Sequence, residues 1–367
     1  MAGTVERILG LVESSGRSRG EFAKAIGLDD SKLSKSLNGT RRFSSLDLAR
    51  IADTCGVTVD WLITGESPPL AAAARTSGGS ADIAIAEARR LTALRGDVAA
   101  IGYPQPWLIP ARSLASGNAV AQGDALARAA LRMVETAARS IAEWDLAALI
   151  EAVFGADVAV VHTREGFDGL SAYSSQAKLI VLASSQLPSR QRFTLAHELG
   201  HLLVGDDQGI HLDNDVYAAS QKQDPTELRA NTFASVFLMP DSVLADAVGR
   251  AGLDDATFAT LCCDLMVSPS ALASRLLRLR LIDAGASDRF KRLTSASAAK
   301  IAGRGEELAR RCAESNQPRS PGLLLRDTYA AYEGGMATLR PYANVLGVDV
   351  EPLRRSLETA DTSTDAL

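Results

Sequence analysis

Apolar residues recur along most of this chain at the three-and-four spacing of amphipathic helices, with one short stretch that runs as strands instead. Val5, Ile8, Leu9 and Val12 share one face of a first helix. Ser18-Arg-Gly-Glu21 has the form of a capping box, and it opens a second helix that turns Phe22, Ala23 and Ile26 inward and ends at Gly27. Asp29 or Asp30 caps a third helix through Leu37, closed by Asn38-Gly39, and 46–55 and 59–63 give a fourth and a fifth. Residues 67–80 are a Pro, Ala, Gly and Ser linker. A helix follows over 81–94, then a three-proline strap over 102–110 with Trp107 as its anchor. Helices are predicted over 124–142 and 146–154, and strands over 157–162, 169–173 and 178–183. Apolar helical runs return over 193–203 and from Glu227 to Pro240. Residues 258–282 read as helix, turn, helix, with Ser268 as N-cap and Pro269 at the first helical position. Helices continue over 287–316 and 323–358, and 359–367 is expected to be a disordered tail. The fold class is therefore mainly α with a small β-sheet (α+β).

Composition narrows the setting. The 367 residues suffice for two or three domains, and 46% hydrophobic with 23% charged residues is ordinary for a soluble protein. A net charge of −5 excludes a global basic field, so any nucleic-acid contact rests on a local patch. The four cysteines show no C-x-x-C pair and suit a reducing compartment. The sequence carries neither a secretory signal pattern nor a membrane-length apolar run, so a cytoplasmic protein with no membrane partner is expected.

The chemistry concentrates in His197-Glu198-Leu-Gly-His201. Residues i and i+4 stand one turn apart on a helix, so two imidazoles can hold one metal ion, and Glu198 lies about 100° round the helix. A catalytic zinc needs a third protein ligand and an open fourth position. Glu227, in the first turn of the next apolar helix, is the preferred third ligand. Asp207 and His211 remain alternatives, although the longer pattern that would recruit Asp207 needs glycine at position 204, where this chain has Val204. The strand 178–183 is either an edge that pairs with an extended peptide substrate or an ordinary internal strand.

Two resemblances follow from these residues. Arg192-Phe-Thr-Leu-Ala-His-Glu-Leu-Gly-His, followed by Glu227-Leu-Arg-Ala-Asn-Thr-Phe-Ala and Leu238-Met-Pro, resembles the ImmA/IrrE family of metallopeptidases over 157–283. That likeness implies a zincin-like domain, Zn2+ held by His197, His201 and Glu227, and Glu198 as general base. It also implies a protein substrate of the repressor type. Glu21-Phe-Ala-Lys-Ala-Ile-Gly-Leu, Lys32-Leu-Ser-Lys-Ser-Leu-Asn-Gly and Val57-Thr-Val-Asp-Trp-Leu-Ile-Thr-Gly resemble the XRE (Cro/C1-type) helix-turn-helix domain. In that fold the second helix of the pair enters the major groove. Ser31, Lys32 and Lys35 would then face double-stranded DNA, with Asn38, Thr40, Arg41 and Arg42 on phosphates. Asp30 stands where the family commonly has glutamine, and its carboxylate repels phosphate.

The expected organisation is a five-helix DNA-binding domain over 1–66, linker and strap over 67–117, and the metallopeptidase over 118–283 with a helix-turn-helix-like end at 256–283. A helical region over 284–367 follows. The expected function is a DNA-binding transcription regulator, working as a homodimer in stress or mobile-element response, whose zinc endopeptidase domain cleaves a regulator protein. The alternative is a non-proteolytic regulator whose peptidase-like domain senses a signal.

Overall fold

The computed structural model describes residues 3–15, 18–55, 59–64, 81–110, 118–163, 166–175, 177–205, 210–213, 224–251 and 253–364. The chain divides into two compact units, Met1–Arg75 and Thr76–Leu367. The linker 67–80 and Asp207 lie outside the described residues.

The first unit is built from α1 (Thr4–Ser14), α2 (Arg19–Ala25), α3 (Asp30–Leu37), α4 (Ser45–Cys55) and α5 (Val59–Thr64). The capping box at Ser18 forms in full: its hydroxyl accepts from the Glu21 amide, and Glu21 accepts from the Ser18 amide. Asp29 is the N-cap of α3 by backbone conformation but its side chain makes no cap bond; it pairs with Lys32 instead. Ile8, Phe22, Ile26, Leu33, Ile51 and Leu62 are almost wholly buried in one core. The apolar stripes of these short helices therefore meet as the spacing predicts.

The second unit begins with α6 (Asp82–Ala100), α7 (Ala119–Thr136) and α8 (Leu146–Phe154). The expected 124–142 helix starts earlier, because Asn118 caps α7 through the Ala121 amide. Strands β1 (Asp157–Val161), β2 (Gly169–Tyr173), β3 (Lys178–Ala183) and β4 (Ile210–Asp213) form a sheet in the order β1-β3-β2-β4. β3 pairs parallel with β1 and antiparallel with β2, so it is the internal strand of the two readings kept open above. The edge near β2 is β4, where His211 stands opposite Ser171.

Burial along β1 and β3 is nearly continuous, which is the mark of a sheet covered on both faces. Val158, Val160, Ile180 and Leu182 join the core that holds Leu195, Ala196 and Leu199 of α9 (Pro188–Val204). α6 and α17 (Gly322–Glu333) pack against the sheet as well. There the guanidinium of Arg95, 1% exposed, bonds both carboxylate oxygens of Asp157 at 2.8 Å and Asp327 at 2.6 Å. Residues 82–110, expected to serve only as linker and strap, are thus part of this unit. The strap 102–110 is irregular as expected, and Gln105 bonds the carboxylate of Asp157 and the backbone of Lys178.

After α9 come α10 (Pro225–Leu238) and α11 (Asp241–Ala251). The expected helix-turn-helix forms as α12 (Asp255–Leu265) and α13 (Pro269–Arg278), with Ser268 capping as predicted. Arg275, in a segment made basic by Arg278 and Arg280, is nevertheless 4% exposed and bonds Asp241 and the carbonyl of Met239. The 287–316 run is three helices, α14 (Ala284–Lys291), α15 (Ser295–Ile301) and α16 (Gly305–Ser315). After α17, the chain adds α18 (Arg340–Leu346) and α19 (Val350–Thr364). The expected disordered tail is helical as far as Thr364, since α19 continues through it; residues 365–367 lie outside the described residues.

Candidate metal centre

α9 is started by Pro188 in its first turn and stopped by Gly205 in the left-handed conformation. Along it, every residue from Thr194 to Leu203 is buried. The two imidazoles therefore stand inside the protein, with ring centroids 4.7 Å apart. α10 is started by Pro225 behind the N-cap Asp224, which places Glu227 in the first turn. Its inner face is Ala230, Phe233, Ala234 and Phe237, all buried, while Leu228 is 38% exposed.

Two glycines set the spacing of the elements. A Cβ on Gly200 would stand 3.0 Å from the Phe233 ring and 3.4 Å from Ala230 Cα, so the absent side chain lets α10 approach α9 closely. A Cβ on Gly169 would stand 2.7 Å from Thr194 Cγ2 and 3.3 Å from Glu198 Oε1. β2 thus lies directly over the stretch of α9 that carries the glutamate.

The result is convergence of one ligand atom from each of His197, His201 and Glu227 within 4.8 Å of one another. The two Nε2 atoms are 3.1 Å apart, and each lies 3.4 Å from a Glu227 carboxylate oxygen. Ligands about 2.0–2.1 Å from a tetrahedral zinc stand about 3.3–3.4 Å from each other; the separations here are of that size, with Glu227 Oε2 facing His197 and Oε1 facing His201. The donor set, two neutral nitrogens and one carboxylate, is also the one expected for a divalent ion with an open position.

One contributor was missed by the sequence reading. The Asn231 side-chain oxygen lies 3.1 Å from His197 Nδ1, where it accepts the ring N–H. That bond keeps the proton on Nδ1 and leaves the Nε2 lone pair facing the ligand cluster. The signal was available, since Asn231 is four residues after Glu227 on one helix face.

Of the alternatives for a third ligand, Asp207 lies outside the described residues, and no side-chain geometry is described for His211. Glu198 is fully buried on the same helix as the two histidines. The expected DNA contacts divide. Ser31, Lys32, Lys35, Asn38, Thr40 and Arg42 are exposed on or just after α3. Arg41 is half-buried and bonds Asp47 at 2.7 Å and Ser36 at 2.9 Å, so its charge is already engaged.

Comparison with known proteins agrees with both motifs. Residues 158–277 match the IrrE N-terminal-like domain, and residues 10–62 match a helix-turn-helix domain. Each of these two matches covers less than half of the chain. The chain is 34% identical over 154 residues to the radiation response metalloprotease IrrE of Deinococcus radiodurans, covering 40% of this chain and 45% of that protein. It is 38% identical over 82 residues to the radiation response metalloprotease IrrE of Deinococcus deserti, covering 22% of this chain and 29% of that protein. The chain thus spans less than half the length of these relatives. Among the described residues no single helix is long and apolar enough to cross a membrane.

Proposed function

We propose that the IrrE-like domain is a zinc endopeptidase and that the helix-turn-helix domain brings it, as a homodimer, to double-stranded DNA in the cytoplasm. The single observation that carries the first part is the convergence of one buried ligand atom from each of His197, His201 and Glu227 within 4.8 Å, with a buried glutamate, Glu198, on the same helix as the two histidines. His197, His201 and Glu227 hold Zn2+. When bound, the ion lowers the pKa of a water and polarises the scissile carbonyl. Glu198 takes the proton from the attacking water and delivers it to the leaving amine. Asn231 orients His197 through Nδ1. An extended segment of the substrate pairs with the sheet edge at β4, beside the strand that lies over Glu198. The substrate is a repressor-type regulator, cut in a stress or mobile-element response.

For the second part, Ser31, Lys32 and Lys35 read base edges or phosphate. Asn38, Thr40 and Arg42 position the backbone, while Arg41 supports the loop from inside. Two half-sites require two such domains, hence the dimer.

The deciding experiment is Glu198→Gln. The variant should keep zinc and lose cleavage of a co-encoded repressor; retained cleavage would overturn the general-base assignment. If the wild type cuts nothing but footprints its own promoter, the non-proteolytic regulator becomes the better reading.

A further inference from the structure

A cavity of about 700 Å³ lies between the first half of α9 and the helices α12, α15 and α16. None of His197, Glu198, His201 or Glu227 lines it. Its walls are largely aliphatic, with Val160, Leu182, Leu195, Val267 and Ala299 among them. Cys262 belongs to the same lining, and burial pushes its thiol well above the ordinary range, so it behaves as a small apolar group.

One wall residue breaks this pattern. Arg192 is 7% exposed, and its guanidinium donates to the carbonyls of Ile141 and Glu143. Its Nε is buried with no acceptor, and Asp145 on the same wall attracts the charge only from beyond hydrogen-bond contact. Burial pulls its pKa down to about 9, which marks how poorly the charge is compensated. Arg311 lines the same cavity, and its Nε is also buried without an acceptor. The acids on the wall are already engaged. Asp145 caps α8 through the Ala148 amide, Glu314 accepts from the Trp144 indole, and Glu307 accepts from Arg304 and Arg311. One buried cation therefore has no counter-ion of its own, inside an apolar chamber. A dianion would meet the three nearby carboxylates; a single negative charge would not be in excess.

We propose that this cavity is a binding site for a small apolar monocarboxylic acid. Its carboxylate lies on Arg192, assisted by Arg311, and its hydrocarbon body lies among Val160, Leu182, Leu195 and Ala299. Leu195 stands two residues and Arg192 five residues before His197 on α9, so an occupant ties the metal-cluster helix to α15 and α16. The binding does not depend on the metal, and it is testable whatever the peptidase does.

The test titrates the full chain, with and without chelator, with decanoate below its micelle concentration. Decanol serves as the neutral control, and readouts are calorimetry and tryptophan fluorescence, since Trp144 is on the wall. Saturable decanoate binding is expected, at about one site per chain, with decanol at least about tenfold weaker for loss of the charged hydrogen bonds. Arg192→Met should abolish the preference for the acid. Because that variant also loses the bonds to Ile141 and Glu143, Ala299→Leu provides a second check: it fills the chamber, keeps the arginine, and should weaken both ligands. No saturable decanoate heat, equal affinity for decanol, or undiminished binding to Ala299→Leu would each overturn the proposal.

Discussion

Gly200→Ala offers a test of the helix spacing in which two known effects have opposite signs. In an exposed helix the change from glycine to alanine stabilises by about 1 kcal/mol. Here the new Cβ would stand 3.0 Å and 3.3 Å from two carbons of the Phe233 ring and 3.4 Å from Ala230 Cα, where carbon contacts prefer about 3.5–4.0 Å. The ring cannot swing aside: Phe233 is fully buried and stacks on Phe237 at 5.3 Å and 15°. Overpacking of this kind costs about 1–3 kcal/mol, and a locked ring belongs in the upper half of that range. The packing term therefore wins, and a net loss of about 1–2 kcal/mol is expected, equivalent to a Tm fall of about 2–8 °C for a unit of this size. Because Glu227 stands three residues before Ala230, forcing α10 outward also lengthens the 3.4 Å edges from Glu227 to both histidines. Zinc affinity, read by competition with a chromophoric chelator, should fall with stability. A variant that melts higher than the wild type and binds zinc as tightly would refute the close-approach reasoning.

Other consequences follow from named contacts. Asn231→Ala should weaken zinc binding by about 10–100-fold while the fold is kept, read by the same competition assay. Arg95→Met leaves Asp157 buried without its cation, while Asp327 keeps only the exposed Arg326, and should cost about 3–5 kcal/mol in chemical denaturation. Glu143 is held down to about 2, first by Arg139 and then by the Ser140 amide. Its folded pKa lies below the unfolded one, so its stabilisation is present above about pH 4.5 and is lost as pH falls towards 2. Arg139→Gln should flatten that part of the Tm-versus-pH curve. If Lys32 and Arg42 touch phosphate, replacing either by alanine should lower the salt slope of DNA binding by about one, uniformly across sequences.

The histidine pair was legible in sequence because its geometry is local: i and i+4 on one helix face need no knowledge of the rest of the fold. Glu227 was legible for a related reason, as the first turn of the next apolar helix. The helices of the first unit were equally local: the first was marked by its apolar stripe, and the second and third each by a cap and a terminating glycine or asparagine. Sheet order was not legible. β3 becomes internal only because β1 pairs with it in parallel across the intervening β2, and β4 is a four-residue strand set by its partner rather than by its own pattern. Arg275 shows the same limit: it stands in a locally basic run, yet its bonds go to Asp241 and Met239, more than thirty residues away in sequence.

Zinc content per chain after exhaustive dialysis tests the metal centre most directly, measured by elemental analysis on the wild type and Glu227→Ala. One ion per wild-type chain and almost none in the variant is the expected result. A full complement of zinc in Glu227→Ala would mean that the carboxylate 3.4 Å from both imidazoles is not a ligand.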